Sequence, residues 1–373
     1  MNIVFVSNAI TPHQIPICDE LTALKGVSVK FLESINIDKS TLPIGWRASC
    51  KRDYVISYDF ICRNRDAIIE EILAADVVLY GSGDFSLLKK RLSAGNLTFL
   101  YSERIYKNWK DLLKVPAHFF KFSKMYGKYQ NLYLLCASAF AAKDYELLGL
   151  FRKKSYKWGY FTSVENEVVN STCRFTSPLK MLWCSRFIDW KHPELAVKLA
   201  QRLKTAGYSF KLDMIGEGEL LNSMKSYVKI NGLSDYVHFL GTMPNNQVHE
   251  QMRKHDIFLF TSDKGEGWGA VANEAMSNGC VLIASDEIGS IPFLVKNKSN
   301  GLIFKSNNIN SLCTTIKYVL DYPQRCELLS KNAIETMQQV WSPLNAAKSL
   351  IRLSNDLLNN KISSIHTGPC SKA

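Results

Sequence analysis

The chain has 373 residues, two to three domains at roughly 150 residues each, and its 46% apolar and 21% charged content is ordinary globular composition. Its longest strongly apolar stretch without a charge, Tyr133 to Ala142, is far short of the roughly 20 residues of a membrane-spanning helix, which excludes an integral helical membrane protein. Lysine plus arginine (46) exceeds aspartate plus glutamate (34) by 12, an excess that calls for an anionic partner: nucleic acid, a lipid surface or a phosphorylated substrate.

The start, Met1-Asn2-Ile3-Val4-Phe5-Val6-Ser7, has no basic residues and only four consecutive apolar ones, so no export signal is expected. Ile3 to Ser7 reads as a first strand, followed by a turn-rich Thr11-Pro12-His13-Gln14 and a helical pattern through Leu21 and Leu24. Further apolar runs at Val27 to Leu32, Val77 to Tyr80, Thr98 to Tyr101 and Tyr133 to Cys136 alternate with helical stretches, which suits a parallel sheet covered on both faces. Between Tyr160 and Pro178 the pattern lapses, and residues 161–178 are expected to link two domains, 1–160 and 179–342.

A second alternating series follows, with strands at 180–184, 211–215, 238–240, 257–260, 281–284 and 301–304, and helices at 193–205, 219–230, 245–254, 270–277 and 309–321. A last amphipathic segment, 343–358, is expected to pack back toward the first domain, and the polar tail 359–373 to be disordered. The fold class is α/β, two tandem Rossmann-like doubly wound domains, whose ligands would collect at the carboxyl ends of the strands and in a cleft between the domains. Ten scattered cysteines with no C-x-x-C pair fit a reducing cytoplasm and neither structural zinc nor redox chemistry.

The most informative stretch runs from Thr261 to Cys280, between two apolar strands. Glycines 265, 267 and 269 let the backbone approach an anion, and Glu266 and Glu274, eight residues apart, can present carboxylates to different hydroxyls of one polyol. Alone, such a pair reads as a solvated helix face. This stretch, however, resembles the E-x7-E signature of the retaining glycosyltransferases of family 4, also called glycosyl transferases group 1, which have the GT-B fold. Ser185-Arg186-Phe187-Ile188-Asp189-Trp190-Lys191, Ile215-Gly216-Glu217-Gly218, Phe239-Leu240-Gly241 and Ser285 to Pro292 resemble that family's other motifs, in its order. The chain departs from the family at Ser290 and Phe293, and at Thr11-Pro12-His13, where the family frequently has Gly-Gly.

The resemblance implies that Glu274 holds the ribose of a nucleoside-diphosphate sugar and Glu266 the hydroxyls of the transferred sugar. Backbone groups of Gly267, Trp268 and Gly269 would flank sugar and diphosphate, and Arg186 and Lys191 would neutralise the diphosphate leaving group. Gly216 and Gly218 would touch the nucleotide or simply make a tight turn, and Met243 would pack on the base. Gly216-Glu217-Gly218 begins like a dinucleotide fingerprint but has Leu221 where the third glycine belongs, which speaks against an NAD enzyme. No Asp-x-Asp occurs, so a transferase needing neither metal nor cofactor is expected.

The amino-terminal half is less specific. His13 and Glu103 stand at strand ends where they could face the donor, and an acceptor, saccharide or lipid-linked, should bind here. Arg104 to Lys128 carries seven basic residues against Asp111, a balance of +6, with Tyr106, Trp109, Phe119, Phe120, Phe122 and Tyr126 interleaved. That pattern reads as a peripheral contact with an anionic membrane or as a solvated face over core aromatics. The expectation is a cytoplasmic, peripherally membrane-associated retaining hexosyltransferase of surface polysaccharide or lipopolysaccharide synthesis. A non-catalytic sugar-nucleotide-binding subunit is the alternative. Nucleic acid is not expected as a partner, since no recognition module is present.

Overall fold

The structure is a computed structural model that describes residues 1–37, 52–163 and 178–373. It divides into two compact units, Met1–Ser163 with Val340–Ala373, and Val164–Gln339. Residues 164–177, most of the expected linker, lie outside the described residues, whereas Phe161 and Thr162 are buried in the first unit.

Continuous runs of β-branched, aromatic and leucine residues make the first sheet because every face is covered. Its strands are β1 Asn2–Ser7, β2 Ser28–Glu33, β3 Val55–Ile56, β4 Val77–Tyr80, β5 Thr98–Ser102, β6 Leu132–Cys136 and β7 Ser155–Lys157, all paired in parallel in the order β3-β2-β1-β4-β5-β6-β7. The edge strands β3 and β7 escape the sequence pattern because two or three residues carry no periodicity. Strand order reverses between β1 and β4, the switch point where ligands of doubly wound sheets collect.

The second unit repeats the plan with β8 Leu179–Cys184, β9 Phe210–Ile215, β10 Val237–Gly241, β11 Ile257–Phe260, β12 Val281–Ser285 and β13 Leu302–Phe304, in the order β10-β9-β8-β11-β12-β13. Its switch point lies between β8 and β11, whose pairing sets Met181 beside Ile257 and Leu182 beside Phe258. The helix Pro193–Thr205 starts on a proline, which needs no amide partner at a first helical position, and buries Leu195, Ala196, Leu199, Ala200 and Leu203 in the core cluster with Trp183 and Met214. A helix at Gln324–Glu335 extends the expected pattern.

Helix Pro343–Leu358 packs on Ile15–Ala23 of the first unit, burying Ala346, Ala347, Leu350 and Leu353. The expectation of a disordered tail at 359–373 is wrong. Cys370 and Ser371 are fully buried, Lys157 N donates to Ser371 O at 2.7 Å, Cys370 N donates to Lys157 O at 2.7 Å, and Lys372 bridges Tyr156 antiparallel. The tail therefore covers the open edge of β7, satisfying backbone groups that polar composition alone does not reveal. Among the described residues no helix is long and apolar enough to cross a membrane.

Candidate functional site

The switch point of the second sheet brings two loops together. The loop after β8 carries Arg186, Trp190 and Lys191, and the loop after β11 runs Thr261 to Gly269. Trp183 Nε1 donates to Thr261 Oγ1 at 2.9 Å, and that hydroxyl donates onward to Lys191 O at 2.7 Å. Asp263 N donates to Trp190 O at 3.0 Å, and Gly265 N and Glu266 N bond back to Asp263 at 2.7 and 3.1 Å. Lys191 and Glu266 thus meet as a hydrogen-bonded ion pair with both side chains only 12% exposed. Burial pushes the Lys191 ammonium below its ordinary pKa against the pull of Glu266, and neighbouring Arg186 lowers it further. Trp190 lies under both cations, its ring 4.2 Å from Lys191 Nζ and 5.8 Å from the guanidinium of Arg186, which is otherwise exposed.

Glu274, 8% exposed, stands on the helix Val271–Ser277 that follows the glycine loop. Asn245 Nδ2 donates to its Oε1 at 3.4 Å and His249 Nε2 lies 3.8 Å from the same oxygen, both from the helix Asn245–Lys254. Cys184, at the end of β8, feels Glu274 and Lys191 with opposite signs; burial is the main force that raises its thiol to about 12, so it is a neutral wall of the site. Met243 is half-buried two residues before Asn245, on the loop that leads into this helix.

The glycines have separate physical reasons. Gly216, at φ +131°, passes so close to the β8 loop that a Cβ would lie 1.9 Å from Ser185 O, and its amide already donates to Gly241 O at 2.8 Å. Gly218, at φ +148°, would set a Cβ 2.5 Å from Phe187 O, and Gly269, at φ +82°, one 2.5 Å from the Phe260 ring. Gly267 is buried beside Glu266. Trp268 turns its fully buried indole inward, donating to Asn273 Oδ1 at 2.9 Å, while its carbonyl accepts from Ser290 N at 3.1 Å.

Sequence reasoning missed His192. It sits at φ +49° between the two loops, with Nδ1 2.7 Å from Glu194 and Nε2 3.2 Å from Asp263. Burial works against its charge, but the two carboxylates outweigh it and lift the imidazole to about 9, so His192 is a cation at neutral pH; Asp263 is correspondingly held below its usual range. The pair lies 71 residues apart, a separation no local motif displays.

His13 and Glu103 belong to the first unit, and the structure joins them through a residue the sequence did not single out. The His13 ring stacks on Tyr160 at 5.6 Å and 1° between planes, and Tyr160 OH donates to Glu103 Oε1 at 2.7 Å. Lys107 Nζ holds the other oxygen of Glu103 at 3.1 Å. Among the described residues no three His, Cys, Asp or Glu side chains gather as metal ligands.

Residues 167–336 match the family described as glycosyl transferases group 1. The chain is 27% identical over 144 residues to the amylovoran biosynthesis glycosyltransferase AmsK of Erwinia amylovora, covering 37% of this chain and 35% of that protein. It is 25% identical over 172 residues to an N-acetylgalactosaminyltransferase of Campylobacter jejuni named for a diphospho-undecaprenol acceptor, covering 46% and 45%. The chain spans between about a quarter and a third of the length of the curated relatives it matches first. In fold it is similar throughout to Anabaena HepE, solved with UDP, at a TM-score of 0.68, covering 96% of this chain and 100% of that one at 12% identity. Residues 167–336 thus resemble the glycosyl transferases group 1 family, and the chain has the two-domain GT-B fold.

Proposed function

We propose that this chain is a retaining glycosyltransferase that moves a hexose-type sugar from a nucleoside-diphosphate sugar to a hydroxyl of a lipid-linked saccharide in surface polysaccharide synthesis, at the cytoplasmic face of a membrane and without a metal. The observation that carries it is the gathering of Arg186, the buried Lys191–Glu266 pair and buried Glu274 at the switch point of the second sheet. Burying charge is costly unless a partner or ligand compensates, and among the described residues the Glu274 carboxylate is met by an amide at 3.4 Å and a half-buried histidine at 3.8 Å. A ribose diol would complete its hydrogen bonds.

In this reading the glycosidic C–O bond breaks with its electron pair passing to the diphosphate, where Arg186 and Lys191 stabilise charge that grows in the transition state. The acceptor oxygen bonds the anomeric carbon on the same face, and its proton passes to a diphosphate oxygen. Glu266, held by Lys191, orients the sugar hydroxyls. Retention comes from the family likeness. The polysaccharide role and lipid-linked acceptor are supported by what the Erwinia and Campylobacter relatives are named for, and the nucleotide by the UDP held in the Anabaena structure. Metal independence rests on the missing Asp-x-Asp and on two cations able to serve the diphosphate.

A thermal-shift panel of UDP, GDP, dTDP and ADP with their sugars tests the donor, since a ligand at 100 times its Kd stabilises by about 2.7 kcal/mol. Transfer with the stabilising sugar nucleotide should persist in excess EDTA. Loss restored by magnesium overturns metal independence; binding with neither transfer nor donor hydrolysis favours the non-catalytic subunit.

A further inference from the structure

The basic segment of the first unit is built as two faces. A short 3-10 helix, Trp109–Lys114, opened by an Asn108–Asp111 capping box, runs directly into the α-helix Val115–Tyr126. Inward, Tyr106, His118, Phe122 and Tyr126 stack in a column at 5.3 to 5.8 Å between ring centres, which ties the helix to its own unit. Five other large apolar side chains point out. Trp109 is 65%, Leu113 75% and Phe120 74% exposed, with Leu112 and Phe119 beside them. Five such side chains within twelve residues are a patch rather than scattered surface.

Charge decides what covers it. Glu103 and Asp111 are taken up by Lys107 and Lys114, which leaves Lys110, Lys121, Lys124 and Lys128 exposed in the same segment. A protein groove suited to these apolar side chains would gain little from four exposed lysines interspersed with them. An anionic bilayer suits both parts: tryptophan and phenylalanine enter the headgroup layer, and lysine stems lie along the apolar surface with their charges at lipid phosphates.

We propose that residues 109–128 dock the chain on an anionic bilayer by inserting Trp109, Leu113 and Phe120, with the lysines drawing it there. This deepens the reading of the acceptor as lipid-linked, but the docking itself needs neither donor nor acceptor. Electrostatic attraction fades over a Debye length of about 8 Å at physiological salt, while insertion does not.

The test is sedimentation of the full chain with vesicles of neutral lipid, or of neutral lipid with 30% anionic lipid (about one in three headgroups, chosen to resemble an inner leaflet), across a salt series. Wild type is expected to bind anionic vesicles at least tenfold more tightly than neutral ones. Leu113→Ser with Phe120→Ser should weaken binding at least tenfold at every salt concentration, whereas Lys121→Gln, Lys124→Gln and Lys128→Gln together should lower the salt at which protein is released. Brominated lipid should quench wild-type fluorescence more than that of Trp109→Phe. All these positions are exposed, so unchanged circular dichroism and Tm verify folding. The proposal is overturned if wild type ignores anionic vesicles at low salt, if the Ser variant binds like wild type, or if the patch instead pairs two copies of the chain without lipid. Nucleotide-induced thermal shifts, measured in the same variants, report separately on the donor reading.

Discussion

At the residue scale the Lys191–Glu266 pair separates binding from folding. Arg186 is exposed, so Arg186→Ala should lower turnover by roughly 100-fold, a few kcal/mol of transition-state stabilisation, with no change in Tm. Lys191→Ala should lower turnover as much and also destabilise, because it strands a buried carboxylate at a cost of about 3 kcal/mol. The double variant Lys191→Met with Glu266→Gln should recover the Tm but not the turnover, and near-normal turnover in Arg186→Ala would sink the assignment. His192 makes a pH prediction. Its folded pKa, about 9, lies above the ordinary 6.5, so its contribution is complete below about pH 6.5 and is lost as pH rises through about 9. Asp263 is lowered, so its contribution holds above about pH 4 and is lost on further acidification. Urea unfolding at pH 6 and pH 9.5 should therefore show a loss in wild type to which His192 contributes on the order of 1 kcal/mol, after allowance for solvent screening. The loss should be smaller by that amount in His192→Asn, a residue that tolerates the left-handed backbone at this position; what remains comes from buried thiols such as Cys184, whose raised pKa also costs stability above about pH 8.5.

At the element scale, the glycine turns fix how closely the β8 and β9 loops approach. Gly216→Ala drives a methyl into Ser185 O and strains a φ of +131°, so it should cost at least about 2 kcal/mol by denaturant titration. Gly26, also at positive φ but with open space around it, serves as the control: Gly26→Asn should change stability by less than about 1 kcal/mol. Equal costs at both positions would show that close packing is not the reason for Gly216. In the first unit, Tyr160→Phe preserves the stack on His13 but removes the 2.7 Å hydrogen bond to Glu103. If that array serves the acceptor, the variant should raise the acceptor KM several-fold and leave donor hydrolysis unchanged.

For the whole molecule, the carboxyl-terminal segment belongs to the first unit rather than trailing from the second. Removing residues 366–373 takes away three backbone hydrogen bonds to β7 and the buried Cys370, and uncovers a sheet edge. At about 1 kcal/mol for each bond plus the lost packing, the truncated chain should be about 2 to 4 kcal/mol less stable and more prone to aggregate, as read by unfolding titration and light scattering. An unchanged Tm would show that the tail only rests on the edge.

The strand runs, their alternation with helices and the Glu266 to Glu274 spacing are local patterns, and they determined both parallel sheets and the donor-side candidates from the sequence alone. Helices 193–205 and 245–254 fall at their expected boundaries because an apolar stripe and a proline start are written within one element. Tertiary structure alone decided what joins distant residues. His192 meets Asp263, Tyr160 couples His13 to Glu103, Asn245 reaches Glu274, and the polar tail closes β7. Each of these depends on side chains or backbone groups brought together across 29 to more than 200 residues, where hydrogen-bond satisfaction and burial, not periodicity, select the partner. The split of the 109–128 aromatics into a packed column and an exposed tip follows the same rule: composition counts the rings, but only packing decides which of them face water.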